Sequence, residues 1–251
     1  MKLFSRVHGS GQPLVILHGV FGSADNWLTL GKRFAEDFEV HLVDQRNHGL
    51  SPHSEEFSYP AMAADLEEYL EDHALENPIL VGHSMGGKVV MQFAVDNPDR
   101  FQKMVVVDIA PRQYPVHHTT ILEGLTGIDL PNLKSRGEAD KQLALSIKEM
   151  GVRQFLLKNL TRNSEKQFAW KINLPVIKRE IETIGVKIDG EPVNKPSLFV
   201  RGFNSTYIQE ADYPQIKQLF PLAQIESLNA GHWVHAEKPE ETYQLISDFA
   251  R

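Results

Sequence analysis

Residues 79–90, ILVGHSMGGKVV, restrict the fold of this chain more than any other stretch. An apolar run passes without a break into Gly-His-Ser-Met-Gly, and a helix-forming stretch follows at once. This is the strand-to-helix context in which G-x-S-x-G marks a nucleophile elbow. The elbow holds Ser84 at a strained turn with its hydroxyl facing a cleft, and Gly82 and Gly86 leave room where strand and helix cross. The helix also aims its first amides at that point, so the Met85 N–H can face a developing oxyanion. A plain Gly/Ser link would use the same letters, but here both flanks have the elbow's form. Ser84 is therefore the candidate nucleophile.

Similar apolar runs recur at Leu14–Leu17, Val40–Val43, Met104–Val107, Leu198–Val200 and Ala223–Leu228. Most are unbroken, as strands buried on both faces should be. Helix-period stretches lie between them, over Asn26–Phe38, Pro60–Leu75, Gly87–Val95 and Glu240–Phe249. The alternation predicts an α/β fold with a mostly parallel central sheet and helices on both faces. After Asp108 it stops. From Pro111 to about Lys195 only Val186–Ile188 reads as a strand, whereas helical patterns cover Ala139–Met150, Val152–Leu160 and Leu174–Ile184. The expected organisation is a core of residues 1–110 and 196–251, with a helical cap, 111–195, inserted after the strand ending at Asp108. A chain of 251 residues suits one domain with such an insertion.

Composition narrows the partners. A net charge of −7 argues against nucleic acid. With no cysteine, disulfides and thiolate metal sites are ruled out. No apolar stretch nears the ~18 residues that span a bilayer, and the first residues lack the basic-then-apolar pattern of a signal peptide. These features predict a cytoplasmic protein without stable membrane insertion; a monomer or homodimer is the expected state.

The second oxyanion donor should follow the first strong strand, where LVILHGVFGSADNW (14–27) places His18-Gly19 at a strand end. The Val20 N–H is the choice, with the Phe21 N–H its neighbouring alternative. His18 reads as a residue that holds the turn. Phe21 and Trp27 read as packing residues, Phe21 on the acyl side. Eleven histidines compete for the role of base. His232 lies after the last apolar run and before the last helix, the place for the third member in the order Ser, Asp, His. Ala230-Gly231 before it permits a close backbone approach, and the rival His235 begins the helix. His117-His118 has no metal-ligand spacing and reads as cap surface. Asp44 reads as the centre of a turn network with Arg46, Asn47 and Ser51.

Six stretches taken together, HGVFGS (18–23), DQRNHGLS (44–51), GHSMGGK (82–88), VDIAP (107–111), G-x-N-S (202–205) and AGHWVHAEKP (230–239), resemble the α/β-hydrolase superfamily. Within it they look like the YbfF-type bacterial esterases and their animal relatives. The resemblance spans nearly the whole chain and is weakest over 111–195. It implies a serine hydrolase that cleaves carboxylic esters or thioesters through an acyl-enzyme, with short acyl esters and acyl-CoA as substrates and no cofactor or metal. Many members of the superfamily place the triad acid as G-x-x-D after the penultimate strand, but here Gly202-Phe203-Asn204-Ser205 puts serine there.

A right-handed crossover sets Met104–Val107 beside the elbow strand, so Asp108 faces the same crevice. The YbfF-type pattern also carries its acid in the VDIAP-like motif. Glu210 and Asp212, further along the loop, are the residual candidates. The expected triad is Ser84, Asp108 and His232. Tyr114, Phe155, Leu156 and Trp170 are the candidates for lining an acyl channel from the cap. The same scaffold also serves C–C bond hydrolases, lyases of menaquinone biosynthesis and small-molecule receptors. Dehalogenase chemistry is disfavoured, because it needs a carboxylate where residue 84 is serine.

Overall fold

The computed structural model describes residues 1–115 and 118–251. Seven strands form one sheet: β1 (Ser5–His8), β2 (Gln12–Leu17), β3 (Phe38–Val43), β4 (Ile79–His83), β5 (Lys103–Val107), β8 (Ser197–Gly202) and β9 (Ala223–Leu228). Their spatial order is β1-β3-β2-β4-β5-β8-β9, and only β1 runs antiparallel to its neighbour. The unbroken apolar runs are explained by cover on both faces. Val15, Leu17, Leu80 and Val106 pack against α2 (Tyr59–Asp72) and α3 (Met85–Asp96). Their alternates Leu14, Ile16, Ile79, Val81 and Val105 pack on the other face against α1 (Leu28–Phe34) and α10 (Pro239–Ala250). The period of two along each strand assigns successive side chains to the two layers.

Between β5 and β8 run α4 (Thr119–Thr126), α5 (Arg136–Leu143), α6 (Met150–Leu157), the hairpin β6 (Leu160–Arg162) and β7 (Phe168–Trp170), and α7 (Leu174–Arg179). The chain closes with α8 (Tyr213–Leu219), β9, α9 (Val234–Glu237) and α10. Several details differ from the sequence reading. Val186–Ile188 is not a strand. Ala223–Leu228 is an edge strand with exposed polar alternates rather than a run buried on both faces. The helix expected over Ala139–Met150 starts earlier, on the Ser135 side-chain cap, and ends at Leu143. Beyond it the chain turns, with the carbonyls of Ile147 and Lys148 accepting from the Arg153 guanidinium at 3.1 and 2.8 Å. The next helix stops at Leu157, because Leu160 pairs with Trp170 in the hairpin.

The segment between β5 and β8 is tied back to the sheet by specific bonds. Where it leaves and returns, its two ends lie side by side: Tyr114 N–H donates to Gly185 O at 2.8 Å and Ile188 N–H to Pro111 O at 2.7 Å. Farther out, Asn159 Nδ2 donates to Phe21 O at 2.6 Å and Asn173 N–H to Asn47 O at 2.9 Å. Among the described residues no helix is long and apolar enough to cross a membrane.

Candidate active site

Ser84 sits between β4 and α3 with φ 53° and ψ −117°. For a non-glycine residue this left-handed backbone is strained, and its neighbours make the strain geometrically necessary. A Cβ at position 82 would lie 2.3 Å from Gly86 O, and one at position 86 would lie 2.5 Å from Leu17 O. Only glycine lets strand and helix cross that closely.

Asp108 extends β5 by one residue and then turns, with φ 50°. Its N–H donates to Val200 O at 2.8 Å, which fixes the carboxylate at the carboxyl edge of the sheet. The side chain is fully buried. Its Oδ1 accepts from the Gly202 N–H at 2.9 Å, and its Oδ2 accepts from His232 Nδ1 at 2.8 Å and from the Ser205 hydroxyl. A buried carboxylate is tolerable only when its lone pairs are met, and here three donors meet them. Ser205, standing at the aspartate position of the G-x-x-D pattern, donates to the Asp108 carboxylate instead.

His232 is held from three other sides. Tyr207 stacks on its ring with centroids 4.0 Å apart, and His83 Nε2 donates to the His232 carbonyl at 2.9 Å. Behind the loop, a Cβ at position 202 would lie 2.1 Å from Gly231 O, so the end of β8 and the histidine loop are in backbone contact.

The two candidate oxyanion donors are sorted by their hydrogen bonds. Phe21 N–H is already committed to His48 Nε2 at 3.2 Å. Among the described residues the amides of Val20 and Met85 donate to nothing. The turn carrying Val20 is built on neutral imidazoles. His18 Nδ1 donates to Gly19 O at 2.8 Å, and its Nε2 accepts from Gln45 N–H at 3.1 Å. Burial pushes the His18 pKa down to about 4 and that of His48 down to about 3. Each ring can therefore offer one donor and one acceptor at neutral pH.

Two cavities meet at Ser84. The larger, about 190 Å³, is walled by Val20, Phe21, Phe155, His232 and Trp233. The smaller, about 20 Å³, is walled by Met85, Ile109, Tyr114, Ile181 and Ile184. Besides Ser84, His118 and Tyr207 border both.

A family model described as the alpha/beta hydrolase fold matches residues 12–239. The chain belongs to the α/β-hydrolase family. The hydrolase is 41% identical over 246 residues to the sn-1-specific diacylglycerol lipase ABHD11 of Mus musculus, covering 94% of this chain and 80% of that protein. It is 37% identical over 240 residues to the esterase YbfF of Escherichia coli, covering 94% and 92% of the two chains. Among solved structures, one described as a marine microorganism esterase superposes with a TM-score of 0.97 at 42% identity, over 99% of each chain. This chain is a hydrolase on the same fold.

The structure of the hydrolase sorts the remaining sequence candidates. Ser84 and His232 share the larger cavity, and Asp108 lies directly behind His232. Phe21 and Phe155 line the larger cavity and Tyr114 the smaller. Trp170 lines neither, because its strand pairs with Leu160 and its side chain packs against the core. Leu156 is wholly buried. His118, expected on the cap surface, borders both cavities with Ser84 instead, from its place at the start of α4. His117 lies outside the described residues.

His235 stacks on Trp27 at 4.3 Å, and burial pushes its pKa down to about 3. Asp212 is engaged by Arg112 at 2.9 Å, and Glu210 lines neither cavity. Asp44 does hold a turn: its carboxylate accepts from the amides of Ala24 and Leu50 at 2.7 and 2.8 Å, and its carbonyl accepts from the expected Ser51 hydroxyl at 2.5 Å. Arg46, expected in that network, pairs with Asp65 at 2.6 Å. Tyr207 and Trp233 were missed as lining residues. Their only sequence signal is closeness to the G-x-N-S stretch and to His232.

Proposed function

We propose that this hydrolase cleaves carboxylic esters or thioesters with small acyl groups through an acyl-enzyme. The observation that carries this reading is the 2.8 Å bond from His232 Nδ1 to the buried Asp108 carboxylate, with Ser84 on the same cavity wall as the ring. That bond leaves Nε2 free to act as base. Ser84 Oγ attacks the acyl carbonyl carbon and forms the new C–O bond, while Nε2 takes the hydroxyl proton. The carbonyl oxygen becomes an oxyanion that accepts from the Val20 and Met85 amides. As the bond to the leaving oxygen or sulfur breaks, His232 returns its proton to that atom. Water then repeats the sequence and frees the acid. Asp108 fixes the tautomer of the neutral His232 ring through Nδ1 and stabilises the imidazolium once it forms.

Proton delivery orients the substrate. The leaving atom must be reached by His232, which lines the larger cavity and not the smaller. The leaving group therefore takes the larger lobe and the acyl group the smaller, apolar one. A lobe of about 20 Å³ leaves room for only one or two water-sized groups, so the shortest acyl chains fit best. Residues 111–195 supply Tyr114, Ile181 and Ile184 to that lobe and Phe155 to the other, so this segment acts as a cap that sets specificity over the core of 1–110 and 196–251.

Kinetics on p-nitrophenyl esters from acetate to palmitate, together with acetyl-CoA and palmitoyl-CoA, test the reading. The expected result is highest kcat/KM at two to four acyl carbons, abolished by Ser84→Ala. Negligible turnover of every ester and thioester would favour a lyase, a C–C bond hydrolase or a receptor instead.

A further inference from the structure

Lys88 lies one turn into α3 after Ser84 and is wholly buried. The triad chemistry does not use it. Among the described residues no carboxylate pairs with it, which is unusual for a buried lysine, because an unpaired ammonium is costly to desolvate. Its Nζ instead donates to Arg112 O at 2.7 Å and to Val186 O. The rings of Tyr59 and Tyr114 lie beneath it, with centroids 5.9 and 5.1 Å away. The nearby formal charges are spent elsewhere: Arg112 on Asp212 at 2.9 Å, and Asp189 on Lys187 at 2.5 Å. Burial lowers the lysine pKa to about 7, while carbonyl dipoles, aromatic faces and the more distant Asp189 charge favour its ammonium form.

The positions of the two carbonyls are informative. Arg112 is where the chain leaves the sheet and Val186 is where it comes back. These two stretches form the neck already described, bonded through Tyr114 N–H to Gly185 O, Ile188 N–H to Pro111 O, and Lys187 N–H to Gln113 Oε1 at 3.1 Å. Tyr114, Ile184 and Gly185 on this neck also wall the smaller lobe at Ser84. One side chain on the nucleophile's own helix thus joins both arms of the neck.

We propose that Lys88 is a positioning residue that clamps the two arms of the neck to α3 and thereby fixes the wall of the acyl lobe. The catalytic atoms do not depend on it directly. Losing the clamp should loosen acyl binding more than it slows chemistry. This inference rests on the ester-hydrolase reading only for its kinetic readout.

Two measurements on Lys88→Met test it. In hydrogen exchange, the amides of Tyr114, Lys187 and Ile188 should exchange at least ~10-fold faster, with those of β4 and β5 unchanged. On p-nitrophenyl butyrate, KM should rise ~10-fold with kcat within ~3-fold of wild type, the pattern of lost uniform binding. Lys88→Gln, which keeps an amide donor but shortens the reach, should fall between. Unchanged neck exchange overturns the proposal, as does a fall in kcat at constant KM. Unfolding of both variants overturns it too, because the lysine would then support the whole fold and not the neck. If wild type hydrolyses no ester, the functional reading fails while the exchange experiment still decides on the clamp.

Discussion

The carboxylate of Asp108 accepts from Gly202, His232 and Ser205, and each donor has a different consequence when it is lost. Asp108→Asn would keep the shape but offer His232 a neutral amide, so kcat should fall by orders of magnitude, up to ~10⁴-fold. Steady-state kinetics with folding checked by circular dichroism reads this directly. Ser205→Ala should act in a subtler way. Removing the hydroxyl takes one charge-assisted donor from the buried carboxylate that orients His232. The expected result is a loss of ~10-fold in kcat. An unchanged kcat would leave Ser205 without influence on that carboxylate. At this scale the sequence was partly legible. Ser84 announced itself through its glycines, and His232 through its place between β9 and α9. Asp108 was legible because Ser205 is not an acid. The lining residues were not, since Tyr207, Trp233 and His118 come from separate loops whose meeting is a tertiary fact.

Elements meet at the site through glycine, and the tolerance of each glycine follows from what surrounds it. Gly202→Ala would drive a methyl to 2.1 Å from Gly231 O, between β8 and the loop holding His232. The variant should lose ~1–3 kcal/mol of stability and most of its activity, because relief of the clash moves the base. Gly151 in α6 has nothing within 4 Å of an added Cβ. Gly151→Ala should raise stability by ~0.5–1 kcal/mol with kinetics unchanged. Thermal melts of the pair, alongside esterase assays, check both signs. The long alternating elements β2 to β5, α2 and α3 could be read from the chain because each carries several turns or pairs of apolar signal. Strands β6 and β7 have three residues each, too few for a period to emerge, and exist because they pair with each other. The edge character of β9 is written in Gln224 and Glu226, whose polar alternation implies a solvent-facing side.

Across the whole molecule, burial lowers the pKa of five histidines among the described residues: His18 and His48 under the Val20 turn, His83 and His235 around the histidine loop, and His41 on β3. Each has a folded pKa below the unfolded value near 6.5, so below that pH the unfolded chain binds more protons than the folded one. Stability is intact above pH 6.5 and drains as pH falls toward the folded values of about 3 to 4. At pH 5 the His18, His48 and His235 rings each cost on the order of 2 kcal/mol. Denaturant midpoints should therefore fall steeply between pH 6.5 and 4 and stay nearly flat from 7 to 8.

The placement of Ser84, Asp108 and His232 on different strands has a further effect on how activity is lost. Ser84 and Asp108 stand at the ends of β4 and β5 in the middle of the sheet, whereas His232 hangs from β9, the outermost strand. Edge strands with exposed alternates open at lower free energy than central ones. On warming, β9 should fray first and carry His232 away while Ser84 and Asp108 remain seated. Hydrolysis should then fade a few degrees before the far-ultraviolet signal does and return fully on cooling, so that the working lifetime of the catalyst is governed by one peripheral strand.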